Sequence, residues 1–303
     1  MKIYMALNEG GTRGDIALHM KLAILSARKY TTLQPHLLYT GNRNGFTAWL
    51  ERQGVRIIDS QLPYLHVIEE LTAAGRYTTA TVGHWLRTNV CLTERYDEHV
   101  FYTDVDVMFL KNPELGNIKP RYFAAAPEFD KTSWNYFNAG VMVLCPRGLR
   151  EEYGAFEQYI IQNIREKTYA FHDQIAYNEF YRGRWDRLPL ELNWKSYWGL
   201  NPNATLLHFH GPKVGAMRAI VDERWNWGDD HGRQIGSMFL GFLDSYIAAF
   251  ESMREYLPEL LPEEQDQLSE LFELAPKYDR NRHAHHVSLT FMKFRMFPEQ
   301  AAN

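Results

Sequence analysis

Short apolar segments rich in strand-forming residues alternate with longer segments of helical periodicity along the first two-thirds of the chain. The alternation begins with a predicted strand over 2–7, a Gly-rich turn over 8–15, and a helix over 16–30 that Asp15 is expected to cap. Regular alternation of this kind predicts an α/β architecture with a mostly parallel central sheet flanked by helices. The other predicted elements are strands at 36–40, 55–59, 99–103, 121–125, 140–144 and 205–209, and helices at 80–95, 149–165 and 173–181.

The pattern changes after about Trp227. Residues 236–275 contain two further helical segments, and the end of the chain is basic and rich in histidine. We therefore expect one domain over 1–227 and a helical C-terminal extension over 228–303. The basic end is suited to peripheral contact with an anionic membrane surface or acceptor, although a solvated end is the simpler interpretation. Its charged and titratable residues are Lys277, Arg280, Arg282, His283, His285, His286, Lys293 and Arg295.

Composition excludes several classes of protein. The net charge of −4 argues against a nucleic-acid partner. Two cysteines, Cys91 and Cys145, are too few for a disulfide framework or a four-thiolate zinc site. No segment approaches the roughly 18 apolar residues of a membrane span, and the apolar start of the chain is too short for a signal peptide. A cytoplasmic location is expected, and the oligomeric state is left open.

The segment HVFYTDVDVMF, residues 99–109, carries the clearest chemical signal. An apolar strand runs directly into Asp104 and Asp106, and side chains two residues apart in extended backbone face the same way. Two adjacent carboxylates repel each other unless a cation lies between them. Hard oxygen ligands suit Mg²⁺ or Mn²⁺, which also bind phosphate oxygens. The pair therefore predicts a divalent metal site at a strand end, although a simple turn with two carboxylates is the alternative.

A second polar group follows the late strand in TLLHFHGPKVG, residues 205–215. His208 and His210 are expected on one face of this strand, and imidazole is a good ligand for Mn²⁺. Gly211 would let the backbone approach a phosphate closely. Lys213 would neutralise charge on that phosphate.

Two further segments place amides and a carboxylate near element ends. Asn138 precedes an apolar strand in YFNAGVMVL, and Asp173 and Gln174 open a helix in HDQIAYN. An acidic residue at a helix start is also an ordinary capping residue. The aromatic stretches at 134–137 and 194–198 are suited either to an acceptor platform or to the core.

Taken in order, these motifs resemble those of the retaining glycosyltransferases of the glycogenin and lipopolysaccharide galactosyltransferase group, glycosyltransferase family 8 and its relatives. The resemblance spans roughly residues 2–215. It implies a GT-A fold, a nucleotide-diphospho-sugar donor (a UDP-sugar in this family), and a Mn²⁺ ion, with Mg²⁺ as the alternative.

The same resemblance assigns roles to residues that match the family's motifs. The metal ligands would be Asp104, Asp106 and His208. Residues near the reacting centre would be Arg87, Asp173, Gln174 and Lys213. Donor-binding residues would be Ala6, Leu7, Asn8, Arg87, Asp104, Val105, Asn138, Ala139, Gly140, Gly211 and Lys213.

The sequence departs from the family pattern in three places. Lys213 lies five residues after His208, where the family commonly has six. Val214 and Gly215 replace the usual Pro-Trp after this lysine, and the loop over 8–15 is not the usual family sequence. The last 75 or so residues have no counterpart known to us in the family.

The implied activity is retaining transfer of a hexose from the donor to a hydroxyl of a glycan, a lipid-linked acceptor or a small molecule. Retention requires either a carboxylate nucleophile, for which Asp173 is the matched candidate, or attack from the face of the leaving group, which we favour.

Three alternative functions stay open. DVDV also resembles the motif of haloacid dehalogenase-type phosphatases, with Asp104 as nucleophile and Asp229 and Asp230 as acidic partners. A non-catalytic binder of sugar nucleotides or glycans is the second alternative, and a nucleotidyltransferase using GGTRG (10–14) is the third.

Overall fold

The computed structural model describes residues 1–288, and its largest element is a seven-stranded sheet in the order β3-β2-β1-β4-β7-β6-β8. A second sheet has three strands in the order β5-β10-β9. The strands are β1 (Lys2–Asn8), β2 (Gln34–Thr40), β3 (Arg56–Asp59), β4 (Val100–Thr103), β5 (Val107–Phe109), β6 (Phe123–Pro127), β7 (Phe137–Leu144), β8 (Asp186–Arg187), β9 (Trp194–Lys195) and β10 (Leu206–His208).

The large sheet is mostly parallel, as predicted. Strands β1, β2, β3 and β4 run parallel to one another, and β6 is parallel to β8. Strand β7 is the exception because it runs antiparallel to both β4 and β6. Because β4 and β6 are both antiparallel to β7, they are parallel to each other. The carboxyl ends of β1, β4 and β6 therefore lie at one edge of the sheet.

The helices cover both faces of the sheet and extend beyond it. Alternate residues of β1 contribute to two different apolar clusters, Tyr4 to one and Ile3, Met5 and Leu7 to the other, so the sheet has a core on each face. The helices are α1 (Gly14–Tyr30), α2 (Gly45–Arg52), α3 (Leu65–Ala73), α4 (Val82–Trp85), α5 (Val90–Thr93), α6 (Pro146–Glu151), α7 (Tyr153–Lys167), α8 (Asp173–Phe180), α9 (Val214–Val221), α10 (Asp230–Leu240), α11 (Leu243–Met253) and α12 (Pro262–Leu274).

Two helix predictions were wrong in their continuity. The helix predicted over 80–95 is a series of short helical turns that includes α4 and α5. This series packs closely against the end of β1, since a Cβ atom at Gly83 would lie 3.1 Å from the backbone nitrogen of Asn8. The helix predicted over 149–165 is divided at Glu152 between α6 and α7. Helices α2, α3 and α9 were not predicted.

The predicted role of Asp15 as a helix cap was also wrong. Helix α1 begins at Gly14, and its N-cap is Arg13, whose side chain makes no capping hydrogen bond. The Asp15 carboxylate instead accepts a hydrogen bond of 2.9 Å from the backbone N–H of Gly215, at the start of α9. Asp15 therefore connects the first helix to a segment 200 residues later.

The C-terminal segment contains three helices where two were predicted. Helices α10, α11 and α12 share an apolar cluster with α9 and with Leu18, Leu22 and Leu25 of α1. The described part of the basic end includes ion pairs of Arg280 with Asp244 and of Arg282 with Glu223. Lys293 and Arg295 lie outside the described residues. Among helices within 1–288, none is both long enough and apolar enough to cross a bilayer.

Candidate metal centre and active-site cavity

Three predicted metal ligands converge in the structure. Asp104, Asp106 and His208 each offer a ligand atom, and these atoms lie within 4.8 Å of one another. Asp106 and His208 are buried, whereas Asp104 is partly open. Two carboxylates and one imidazole form a donor set suited to Mn²⁺. The prediction that these three residues share one site is confirmed as a matter of geometry.

Strand pairing explains how the third ligand reaches the first two. The Asp104–Asp106 turn leads from β4 in the large sheet to β5 in the small sheet. Strand β10 pairs antiparallel with β5 so that His208 lies opposite Val107, and the next residue, Phe209, donates its backbone N–H to the Asp106 carbonyl at 2.8 Å. A residue more than 100 positions away is thus placed beside the carboxylate pair.

A chain of hydrogen bonds fixes the tautomer of His208. The Gly140 N–H donates to Oδ1 of Asn138 at 3.1 Å, and Nδ2 of Asn193 donates to the same oxygen at 3.1 Å. Oδ1 of Asn193 therefore faces Nδ1 of His208, 2.9 Å away, and must accept its proton. The lone pair of His208 is then on Nε2, which lies 3.3 Å from Oδ1 of Asp106. This orientation is the one that a metal ligand requires.

The absence of a side chain at Gly140 leaves the space in which the side chains of His208 and Asp104 approach each other. A Cβ atom at this position would lie 2.5 Å from Cε1 of His208 and 2.7 Å from Oδ2 of Asp104. Its carbonyl oxygen also accepts a 2.6 Å hydrogen bond from the Asp104 backbone N–H. Any larger residue would displace at least one of these two side chains.

Lys213 supplies the nearest positive charge to the buried carboxylate of Asp106. Nζ of Lys213 lies 2.7 Å from Oδ2 of Asp106. Burial opposes ionisation of Asp106, but the adjacent Lys213 ammonium holds its pKa well below the ordinary value. Burial lowers the pKa of His208, which keeps the imidazole neutral. An ionised carboxylate and a neutral imidazole are the forms that bind metal ions.

Arg87 connects the metal-site carboxylates to Asp173. Its guanidinium lies 2.8 Å from Asp104 Oδ1 and 2.8 Å from Asp173 Oδ2, and it also donates to the carbonyl of Ala139. Arg87 and Asp173 are both almost fully buried. Burial disfavours the charged guanidinium, but the two carboxylates raise the pKa of Arg87 above its ordinary value. The arginine is therefore a fixed positive charge held between two anions.

Gln174 and Asn138 are positioned together at the start of α8. Oε1 of Gln174 accepts hydrogen bonds from the Ala139 backbone N–H at 3.0 Å and from Nδ2 of Asn138 at 3.2 Å. Farther along the helix, Asn178 exchanges two 2.9 Å hydrogen bonds with the backbone of Phe137. These contacts fix the amino end of α8 against the start of β7.

A cavity of about 490 Å³ opens beside the carboxylate pair. Arg87 and Asp173 lie in its wall, together with further predicted residues Asp104, Asn138, Gln174 and Gly211. Gly211 has a φ of +98°, a backbone conformation that favours glycine, and it packs against the thioether of Met238.

The remaining predicted donor-binding residues lie at the same sheet edge but outside this cavity. Strand β1 pairs in parallel with β4, so Ala6 near the end of β1 and Asp104 after β4 lie at the same edge. Leu7 is buried in the core, so its side chain is not available to a ligand. Asn8 caps the following short turn and donates to the Ala80 carbonyl. Val105 and Ala139 are also buried.

The cavity wall also contains residues that were not predicted as site residues, among them Glu128, Tyr136 and His210. Nε2 of His210 lies 3.0 Å from Oε1 of Glu128. Burial opposes ionisation of Glu128, but His210 and Lys195 lower its pKa to about 2. The signal for Glu128 was present in the sequence, because it directly follows β6, whose carboxyl end lies at the same edge as that of β4.

Asp229 and Asp230, the acidic pair required by the phosphatase alternative, make structural contacts instead. Asp229 caps α10 by accepting the Gly232 N–H at 2.7 Å, and Asp230 forms an ion pair with Arg233. Across residues 1–288, the one cluster of three or more potential metal ligands is the Asp104–Asp106–His208 group, without either of these aspartates. The arrangement does not support a phosphatase site.

Comparisons with known proteins agree with this architecture. No family model matches the sequence, and no curated protein matches it significantly. The structure is similar to the galactosyltransferase LgtC in complex with donor and acceptor sugar analogs, with a TM-score of 0.53 and 17% identity, over 78% of this chain and 95% of that one. It is also similar to mouse xyloside xylosyltransferase 1, with a TM-score of 0.50 and 14% identity, over 69% of this chain and 97% of that one.

A third similar structure is the glycosyltransferase GlyE of Streptococcus pneumoniae TIGR4, with a TM-score of 0.51 and 16% identity, over 71% of this chain and 56% of that one. These structures are GT-A glycosyltransferases. The chain therefore has the predicted GT-A fold.

Proposed function

We propose that the protein is a metal-dependent, retaining glycosyltransferase that moves a hexose from a nucleotide-diphospho-sugar, most simply a UDP-sugar, to a hydroxyl of a glycan. The observation that carries the proposal is the convergence of Asp104, Asp106 and His208 beside a cavity lined by Arg87 and Asp173. The solved complex of LgtC with donor and acceptor sugar analogs supports it as an analogy of fold.

The residues of the site fit a divalent cation. The donor set is two carboxylates and a neutral, oriented imidazole, and glycine at position 140 leaves space among them. The imidazole favours Mn²⁺ over Mg²⁺, which prefers oxygen ligands. Such an ion, when bound, supplies Lewis-acid stabilisation of the charge that develops on the diphosphate.

The chain's own charges complement that task. Lys213 lies beside Asp106 and Arg87 beside Asp104, so both positive charges would be near a diphosphate bound at this centre. Preorganised charges of this kind often provide the largest single contribution to catalysis. The amides of Asn138 and Gln174 are held in place by the backbone and would orient the sugar.

Asp173 is better placed to stabilise than to attack. Its carboxylate is buried and lies 2.8 Å from Nε of Arg87, which reduces its availability as a nucleophile. In the same-face route, the bond between C1 and the phosphate oxygen breaks while the acceptor oxygen bonds to C1 on that face. The acceptor proton passes to the leaving phosphate oxygen, and the negative charge of Asp173 stabilises the electron-poor C1.

A screen for hydrolysis of nucleotide sugars tests the proposal without knowledge of the acceptor. Purified protein is incubated with UDP-, GDP- and ADP-hexoses and MnCl₂, and release of nucleoside diphosphate is measured. We expect hydrolysis of at least one UDP-hexose that stops with a chelator and in Asp106→Asn, but persists in Asp266→Asn, an exposed aspartate of α12. Binding of every donor without turnover would instead support the non-catalytic alternative.

A further inference from the structure

One face of helix α10 forms part of the cavity wall. His231, Gln234, Ile235 and Met238 line the cavity and occupy positions i, i+3, i+4 and i+7 of the helix. Residues at this spacing share one face of an α-helix. We call these four residues the α10 stripe. His231 is exposed and Gln234 half-buried, whereas Ile235 and Met238 are buried, so the stripe is polar at one end and apolar at the other.

Two glycines elsewhere on the helix fix its rotation. A Cβ atom on Gly232 would lie 2.1 Å from the carbonyl oxygen of Asn226, and one on Gly236 would lie 2.2 Å from the ring of Trp227. The turn before α10 therefore packs directly against the helix backbone. Because rotation of the helix would bring side chains into this contact, the stripe is held toward the cavity.

The aromatic stretch at 194–198, for which the sequence left an acceptor platform and the core both open, packs beneath the stripe. Trp194, Tyr197 and Trp198 form an apolar cluster with Ile235 and Met238. The indole N–H groups of the two tryptophans are engaged, donating to the carbonyls of Gly199 and Phe129. The stretch thus belongs to the core under α10, and the helix is what faces the cavity.

The polar end of the stripe has hydrogen-bonding capacity to offer. Within residues 1–288, the side chains of His231 and Gln234 make no hydrogen bond to another protein group. A carboxamide both donates and accepts, as a sugar hydroxyl does. The apolar end, extended by Phe129, suits the C–H face of a pyranose ring, since ligand pockets combine apolar walls with a few directed polar groups.

The geometry points to the α10 stripe as the recognition surface for a saccharide acceptor, with Gln234 and His231 as specificity-determining residues. This inference rests on the proposed function and adds to it the surface and the residues that select the glycan acceptor. The predicted donor-side residues all lie within 6–213, whereas the stripe belongs to the C-terminal extension. Donor and acceptor would then be recognised by different parts of the chain.

The test measures how donor sugar divides between acceptor and water. Full-length protein, MnCl₂ and the UDP-hexose that it hydrolyses are mixed with methyl glycosides of glucose, galactose, mannose and xylose. The ratio of disaccharide to free hexose is measured for wild type, Gln234→Ala, Gln234→Glu and His231→Ala. Gln162→Ala, which alters an exposed glutamine of α7, is the matched control, and thermal melting confirms that each variant folds.

We expect at least one glycoside to be glycosylated, with a transfer-to-hydrolysis ratio that falls about tenfold or more in Gln234→Ala. Gln234→Glu should change the ranking of the glycosides, and Gln162→Ala should match wild type. Ratios and rankings like those of wild type in all three stripe variants would overturn the inference, as would donor hydrolysis by wild type with transfer to no glycoside. Absence of donor hydrolysis in wild type would instead count against the proposed function itself.

Discussion

Oδ1 of Asn193 lies 2.9 Å from Nδ1 of His208, and through this contact a buried amide determines which nitrogen of the imidazole faces the carboxylate pair. The orientation is set by successive hydrogen bonds that begin at the backbone. The Gly140 N–H orients Asn138, Asn138 orients Asn193, and Asn193 orients His208. The metal centre therefore depends on a residue that does not touch the metal position.

Replacing Asn193 should weaken metal binding without preventing folding. Asn193→Ala removes the acceptor for the His208 N–H, and such outer partners typically contribute about 10–100-fold in metal affinity. Titration with Mn²⁺ followed by electron paramagnetic resonance should show a corresponding increase in Kd. The matched control is Asn163→Ala, which alters another buried asparagine whose amide donates to the Tyr159 carbonyl on α7. Equal Mn²⁺ affinity in the two variants would contradict the assigned role.

Adding one methyl group at Gly140 should disable the site. In Gly140→Ala, the new Cβ would lie 2.5 Å from His208 and 2.7 Å from Asp104, so at least one ligand must move. A displacement of about 1 Å in an active site can cost about 100-fold in rate, and we expect a loss of kcat/KM of at least this size.

Gly154→Ala provides the contrast for that substitution. A Cβ on Gly154, in the first turn of α7, meets no atom within 4 Å, and alanine there should stabilise the helix by up to about 1 kcal/mol. Its activity should equal that of wild type while its melting temperature rises. Full activity of Gly140→Ala at the same Mn²⁺ concentration would show that the predicted crowding is absent.

Asp173→Asn should slow the chemical step more than it weakens donor binding. The substitution removes a negative charge beside Arg87 while keeping the side chain's size, and loss of one electrostatic stabiliser commonly reduces kcat by about 100-fold or more. Donor affinity, measured by calorimetry with UDP and Mn²⁺, should change by less than about threefold, since the proposed function assigns diphosphate binding to the metal centre and not to Asp173. A large rise in Kd with unchanged kcat would assign Asp173 to donor binding instead.

The sequence predicts those parts of the site whose residues are adjacent in the chain. Strand β4 and its two aspartates could be predicted because the apolar run and the acidic pair are adjacent in the chain. The start of α8 at Asp173 was confirmed for the same local reason. Asn193 could not be predicted, since it lies in a short helical turn, and its importance arises from contacts with residues 55 and 15 positions away.

The helix predicted over 80–95 shows a different limit of sequence patterns. Helical propensity is a weak preference that tertiary contacts override. Here Gly83 packs against the backbone of Asn8, and Arg87 turns inward between Asp104 and Asp173. The irregular winding thus accompanies the burial of a charged residue that belongs to the site, and no local pattern encodes that burial.

The stability of the protein should depend on pH partly through His19. This histidine of α1 is fully buried, and neither ring nitrogen has a hydrogen-bond partner within the described residues. Burial, with a further contribution from Lys213, lowers its pKa from 6.5 to about 3. Between these values the unfolded chain binds a proton that the folded protein does not, so stability falls as the pH falls from 6.5 toward 3.

Urea unfolding at a series of pH values measures this dependence. His19→Leu should remove a slope of up to about 1.4 kcal/mol per pH unit, leaving a flatter profile below pH 6.5. His66→Leu, which alters an exposed histidine of α3, should leave the slope as in wild type. Parallel profiles for wild type and His19→Leu would mean that His19 does not contribute.

The most direct test of the metal centre is anomalous diffraction at the manganese absorption edge, from crystals grown with MnCl₂ and UDP. We predict a single strong peak bounded by a carboxylate oxygen of Asp104, a carboxylate oxygen of Asp106 and Nε2 of His208, with the diphosphate beside it. A peak elsewhere, with UDP bound and these three side chains without an ion, would contradict the account.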